Sequence, residues 1–304
     1  MKRYNDFSSY LRSRFPFKVQ KISINSGMSC PNRDGQLGRG GCAYCNNAAF
    51  SPAYCHESDS ISRQIIKGVK FFSHKYPNMK YLAYFQSYTS TYGDTLRLVA
   101  MYEEALQHPQ IAGIIIGARP DCMADALLNR LTAMLRNHFV MIEYGVESTI
   151  NSTLIRINRG HDFSASANAI QRTAACGIPV GAHLILGLPG ETKTDILSHA
   201  DALSALPLTA IKLHQLQIVR HTTMAAEWKA YPDRFHSYSA DEYIELVIDF
   251  LERLNPNIAV ERFVSQSPPE LLLYPDWGIK NHAITAKILR RMEERNAMQG
   301  RQAI

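Results

Sequence analysis

The sequence predicts an α/β protein whose parallel strands curl toward a barrel, and three observations predict it. Short apolar runs alternate with longer amphipathic segments, the rhythm of repeated βα units. Polar residues recur at period two inside the strand candidates: Glu143 with Glu147, Lys212 with His214, and His183 similarly placed. Such groups can line a cavity inside a curled sheet, whereas a flat sheet covered by helices would leave them unpaired. Finally, the chemically distinctive turns mostly follow strands, as GARPD (117–121), GVEST (145–149) and GLPGET (187–192) do. Sites of barrels and of open α/β sheets both lie there.

The elements follow in order. KVQKISI (18–24) reads as the first strand, and SISRQIIKGVKFFSHKY (60–76) as a helix with a serine start. YLAYFQ (81–86) is the second strand, with helical TLRLVAMYEEALQ (95–107) behind it. IAGIIIGA (111–118) is almost continuously apolar, as a parallel strand covered on both faces should be. A helix over 123–137 leads to the strand FVMIEYGVE (139–147). The next helix, 164–177, ends at Gly177 with Pro179 just beyond. PVGAHLILG (179–187) is a strand, 193–206 a helix, and AIKLHQLQIV (210–219) the sixth strand.

Beyond residue 225 the alternation weakens, so we expect a core over 1–225 and a C-terminal, helix-rich extension over 226–304 packed on it. Within the extension, 239–254 reads as an amphipathic helix capped by Ser239, IAVERF (258–263) as a further strand candidate, and SQSPPE (265–270) as a loop. The tail over 284–301 reads as a helix with basic residues at 287, 290, 291 and 295, a solvated face before it is a phosphate-contacting patch.

Bulk composition excludes little. The 304 residues, 46% apolar, suffice for a sizeable core, and the net charge of +6 is compatible with a nucleic-acid partner without indicating one. No apolar run reaches the roughly 18 residues of a membrane span, and MKRYNDFSSYLRSRF lacks the apolar core of a secretory signal. A cytoplasmic protein is expected, in which clustered cysteines imply metal or catalysis rather than disulfides. The sequence has no Walker loop, GxGxxG or Ser-His-Asp order.

Three of the six cysteines fall within GMSCPNRDGQLGRGGCAYCNN (27–47), spaced C-x11-C-x2-C as Cys30, Cys42 and Cys45. A CxxC pair lets two thiolates converge from one turn, and a glycine-rich spacer lets a distant third close the site. Tetrahedral structural zinc would want a fourth ligand, for which Cys55 and His56 are nearest. The alternative is a four-iron cluster ligated at three irons, open at the fourth. Cys55, Cys122 and Cys176 lack paired spacing and read as small buried residues.

The cysteine motif, with an aromatic before its last cysteine, resembles the signature of the radical S-adenosyl-L-methionine (SAM) enzymes. The long first spacer, CPNRDG, GRGGC and GLPGET make it similar to the YhcC-type family, related to the Elongator catalytic subunit and to tRNA methylthiotransferases. The resemblance implies a partial (β/α)6 TIM-like barrel of the radical SAM type. It implies a [4Fe-4S] cluster on Cys30, Cys42 and Cys45, with SAM on the free iron and Tyr44 beside the adenine. Glu147 and Arg159 fall where relatives contact SAM, though Glu147 also reads as an ordinary strand-end ion pair. His183 falls at a SAM-contacting position or is a satisfied core histidine. Relatives carry a Gly-Gly pair after the second strand; here FQSYTSTYG (85–93) offers Gln86, Ser87 and Thr89 instead.

The implied function is reductive cleavage of SAM to a 5′-deoxyadenosyl radical. tRNA, at a wobble-region uridine, is the expected substrate, and flavodoxin or ferredoxin the kind of reductant. A small metabolite or protein side chain is the alternative substrate, and a zinc-stabilised binding protein the non-enzymatic alternative.

Overall fold

The computed structural model describes residues 2–73 and 79–303. The chain opens with helix α1 (Phe7–Arg14), strand β1 (Val19–Ile24), the single turn α2 (Pro31–Asp34) and α3 (Ile61–Ser73). Then come β2 (Lys80–Phe85), α4 (Thr95–Leu106), β3 (Ile111–Ala118), α5 (Asp125–Met134) and β4 (Phe139–Glu147). Helices α6 (Asn151–Arg156) and α7 (Phe163–Ala175) precede β5 (Val180–Leu186), α8 (Lys193–Ser204) and β6 (Ala210–Gln215). The chain finishes with β7 (Ile218–Val219), α9 (Thr223–Ala230), α10 (Ala240–Arg253), β8 (Ala259–Arg262), β9 (Leu272–Tyr274) and α11 (Asn281–Glu294).

Seven strands form one all-parallel sheet in the order β1-β2-β3-β4-β5-β6-β8. The sheet curls into a half-barrel, the partial TIM-like fold expected from the sequence, with the strand candidate at 258–263 added as a seventh member. Its convex face carries the main core, where Ile22, Phe85, Ile116, Ile142, Leu184, Leu213 and Val260 meet the covering helices. Helix starts follow side-chain capping. Asp94 and Asp162 accept from the first turns of α4 and α7, and Thr192 and Ser239 form capping boxes on α8 and α10. Gly177, at φ +76°, ends α7 in the left-handed region, as the sequence indicates.

The concave face is layered. At the amino ends of the strands Leu82, Ile115, Met141, Ala210 and Ala259 pack against Phe7 of α1, so this helix stoppers the half-barrel. Asn5 O accepts from Val260 N at 2.7 Å, which ties the segment ahead of α1 to the β8 edge. Above the apolar plug the inner face turns charged, and above that it opens.

Two readings need correction. The sixth strand does not run from 210 to 219: β6 stops at Gln215, and β7 pairs antiparallel with β9 instead. The tail helix is Asn281–Glu294, and residues 295–303 form turns. Residues 74–76 of the helix expected over 60–76 lie outside the described residues. The basic tail side chains are spent on carboxylates: Lys287 on Asp241, Arg290 on Glu294, Arg291 on Glu245, and Arg295 on Glu245, Asp249 and Glu252.

Candidate active site

A cavity of about 420 Å³ occupies the mouth of the half-barrel. Cys30, Cys42, Cys45, Tyr44, Gln86, Glu147, Arg159 and His183 all line it. Ser87 does not; it is 3% exposed and lies off the cavity wall. Cys55 is also elsewhere, its thiol donating to Gln64 Oε1 at 3.3 Å, and His56 is exposed.

The cysteine loop is built by local rules. Cys30 ends an extended segment as N-cap of α2, with Pro31 at the first helical position. Gly40 and Gly41 adopt φ of +87° and +83°, which reverses the chain toward Cys42. Asn32 Nδ2 donates to Asn158 O, and Asn158 Nδ2 donates to Gly41 O at 2.8 Å, clasping the loop to the turn after α6. The Cys42–Cys45 turn is held by Ala43, whose N–H donates to Ile157 O at 2.8 Å and whose carbonyl accepts from Met224 N at 2.9 Å.

Arg159 is the organising cation. Its Nη1 donates to Cys42 Sγ at 3.5 Å and its Nη2 to Gly145 O at 2.5 Å, while Glu147 Oε1 lies 3.9 Å from Nη2. Glu147 reaches this position through a bulge between Gly145 and Glu147 and a backbone φ of +68°, strained for a side chain with a Cβ. A Cβ on Gly145 would come within 2.5 Å of Glu147 Oε1 and 2.7 Å of Arg159 Nη2, so a side chain there would displace both groups. Burial, ahead of the opposing Arg159, raises the Glu147 carboxyl above its ordinary value.

Sequence reasoning missed Arg119, although the GARPD turn marked its place. Its side chain, 2% exposed, pairs with Asp121 at 2.8 Å and donates through Nη2 to Arg159 O at 2.8 Å. It therefore supports Arg159 from behind.

Deeper in the cavity His183 Nε2 donates to Glu143 Oε2 at 2.8 Å. Burial first, then the Lys212 charge, pushes the His183 imidazole down to about 4, so it is neutral at pH 7. Glu143 sits between Lys21 (2.5 Å) and Lys212 (2.8 Å). Burial opposes its ionisation, yet the two lysines and His183 hold its carboxyl well below the usual range. Glu261 accepts from the same lysines at 2.6 and 3.0 Å. Both ammonium groups lie 4.7 Å from the ring centre of Tyr84. Lys21 and Glu261 come from the two edge strands, β1 and β8, and so stitch the open side of the half-barrel.

A fold of this kind, with three cysteines in the loop after β1, is that of a radical SAM enzyme. The radical SAM superfamily model matches residues 30–203 and the radical SAM C-terminal domain model residues 208–294; the chain belongs to this superfamily and to its YhcC-type family. The YhcC protein of Escherichia coli (strain K12) is 35% identical over 277 residues, which cover 91% of this chain and 88% of that protein. The tRNA uridine(34) acetyltransferase of Methanocaldococcus infernus is 24% identical over 199 residues, 63% of this chain but 35% of that protein. The structure of Methanocaldococcus infernus Elp3 matches with a TM-score of 0.66 at 16% identity, covering 93% of this chain and 64% of that one. The chain thus spans about a third of the acetyltransferase and under two thirds of the Elp3 chain.

The family implies SAM and a [4Fe-4S] cluster. Among the described residues no three Cys, His, Asp or Glu side chains form a ready-made metal cage. The donor set nonetheless fits such a group. Three thiols line one cavity, and Cys42 Sγ accepts from Arg159 and, at 3.7 Å, from Asn32 Nδ2. Arg159 Nε and Arg119 Nη1 are buried without partners among the described residues, unspent positive groups beside a site that would become anionic. Burial raises the Cys30 thiol and pushes Cys45 up to about 12, so loading with metal must displace protons. Neither candidate for a fourth zinc ligand, Cys55 or His56, lines the cavity with the three cysteines.

Proposed function

We propose that Cys30, Cys42 and Cys45 hold a [4Fe-4S] cluster and that the chain cleaves SAM reductively to a 5′-deoxyadenosyl radical for modification of tRNA at a wobble-region uridine. The observation that carries this reading is the convergence of three cysteines, Glu147 and Arg159 on one cavity. A cluster held by these three cysteines would supply one electron to the sulfonium of SAM.

The chain's own residues have separable tasks in this reading. Arg159 offers N–H donors to the Cys42 sulfur and fixes the carboxylate of Glu147. Glu147, Tyr44 and Gln86 face the space for SAM, and a carboxylate there can accept from ribose or ammonium groups. His183 is committed through Nε2 to Glu143, which makes its Nδ1 an acceptor at neutral pH. The loop around Cys42 and Cys45 is pinned by Ile157 and Met224, which fixes where the thiols stand.

The tRNA assignment is supported by the name of the related tRNA uridine(34) acetyltransferase and by the net charge of +6. Single-stranded loops splay bases that an open cavity can admit. A cytoplasmic setting with a flavodoxin or ferredoxin reductant belongs to the same reading. Comparing modified nucleosides in bulk tRNA from cells with and without the protein tests it. Loss of one uridine derivative is expected; an unchanged profile would remove tRNA as substrate. A small-metabolite substrate is the second reading, favoured by a cavity of about 420 Å³, the size of a small-molecule site.

A further inference from the structure

The charged layer of the cavity is not uniformly neutralised. Lys21 and Lys212 each contact both Glu143 and Glu261, a closed square of two cations and two anions whose charges cancel. Those lysines are spent on protein carboxylates. Arg262 is different. Strict alternation from the inward-facing Glu261 would turn Arg262 outward beneath the helices. A bulge opposite β6 skips Glu261, pairs Ile211 with Val260 and Lys212 with Arg262, and brings Arg262 onto the cavity wall.

Arg262 Nη2 donates to His214 Nδ1 at 3.1 Å, and the Ser265 hydroxyl is bonded to the same nitrogen. With Nδ1 accepting from arginine, the neutral imidazole carries its proton on Nε2. Neither that Nε2 nor Arg262 Nε has a partner among the described residues. No carboxylate pairs with Arg262 among the described residues, since both oxygens of Glu261 are taken by the lysines. The Arg262 Nε–H of a partly buried guanidinium and the neighbouring His214 Nε2–H, both without an acceptor among the described residues, form a donor pair awaiting an anion. Gln215, Gln217 and Ser265 line the same part of the wall.

We propose that Arg262 and His214 form an oxyanion subsite that receives a phosphate or carboxylate group of the substrate. The subsite rests on the reading of this cavity as the reaction chamber. It deepens that reading by requiring an anionic substrate. A nucleotide supplies the group as phosphate, and a small metabolite supplies it as carboxylate.

The test uses the full chain without cofactor, titrated calorimetrically with inorganic phosphate, with acetate and, separately, with SAM. Wild type is expected to bind phosphate or acetate, and the tighter of the two identifies the source. Arg262→Gln weakens that binding at least about tenfold, Arg262→Lys weakens it less, and His214→Asn weakens it by about threefold. Melting curves establish that each variant is folded, and the lysine and asparagine variants carry the test if the glutamine variant is not. Equal anion binding by wild type and the variants, or none by wild type, overturns the proposal. A parallel loss of SAM binding in Arg262→Gln also overturns it, because the anion would then be the SAM carboxylate. Anion binding is read without cluster or turnover, so its failure is distinct from failure of SAM cleavage.

Discussion

Arg159 Nη1 lies 3.5 Å from Cys42 Sγ, joining the turn after α6 to the cysteine loop across 117 residues of chain. That contact places a permanent cation against a sulfur that would ligate the cluster. Arg159→Gln keeps an amide donor on a shorter side chain and removes the charge. It is expected to leave the protein folded and to speed cluster loss to a chelator by 10–100-fold, the usual cost of removing a ligand's supporting partner. Iron release after anaerobic reconstitution measures it; release at the wild-type rate would detach Arg159 from the cluster.

Gly145 should tolerate a side chain only by displacing its neighbours. Its Cβ would overlap Glu147 and Arg159, whereas a Cβ on Gly177 meets nothing within 4 Å and suffers only its φ of +76°. Gly145→Ala is expected to cost about 1–3 kcal/mol and to weaken SAM binding. Gly177→Ala should cost about 1–2 kcal/mol with SAM affinity unchanged. Denaturant melts and SAM titration separate the two; equal SAM affinities would refute the positioning argument.

Glu143→Gln should be among the most damaging single changes. It leaves Lys21 and Lys212 sharing only Glu261, and breaking a buried pair costs about 3–5 kcal/mol. Glu261→Gln is expected to cost less, because Glu261 is more exposed than Glu143 (16% against 2%). Chemical denaturation gives both values, and a reversed order would contradict the proposed hierarchy.

Acid should destabilise the fold through His183 as well as through carboxylates. Its folded pKa of about 4 lies below the ordinary histidine value, so the unfolded chain binds the extra proton first. Stability is therefore full above about pH 6.5 and falls as pH drops toward 4, by up to about 1.4 kcal/mol per pH unit for this group. The depressed Glu143 carboxyl adds loss at lower pH, where the unfolded chain protonates first. His183→Gln should flatten the upper limb between pH 6.5 and 5 in melting experiments. An unaltered slope would mean that His183 is not buried neutral.

Much of the half-barrel was legible because its strands carry local signals. IAGIIIGA and FVMIEYGVE have the bounds read from apolar runs and turn residues. Cys30, Cys42 and Cys45 were visible as spacing and motif, whereas Glu147 and Arg159 came only from the family resemblance. What escaped depends on long-range register. Lys21 and Glu261 meet across 240 residues, and nothing near either names the other. Arg262 faces the cavity because one residue bulges out of β8, which period-two reasoning cannot anticipate. The sixth strand was overread because β7, apolar like β6, leaves the sheet to pair with β9. Helix α1 has mean composition too polar for an apolar-stripe reading, yet Phe7 anchors it under the sheet.

The central claim is tested most directly by quantifying 5′-deoxyadenosine after anaerobic reconstitution with iron and sulfide, dithionite reduction and addition of SAM. Wild type is predicted to release 5′-deoxyadenosine with methionine, and Cys30→Ala, Cys42→Ala and Cys45→Ala to release none. A wild-type protein that carries a reduced cluster yet leaves SAM intact, or a Cys30→Ala variant that still cleaves it, would contradict the account.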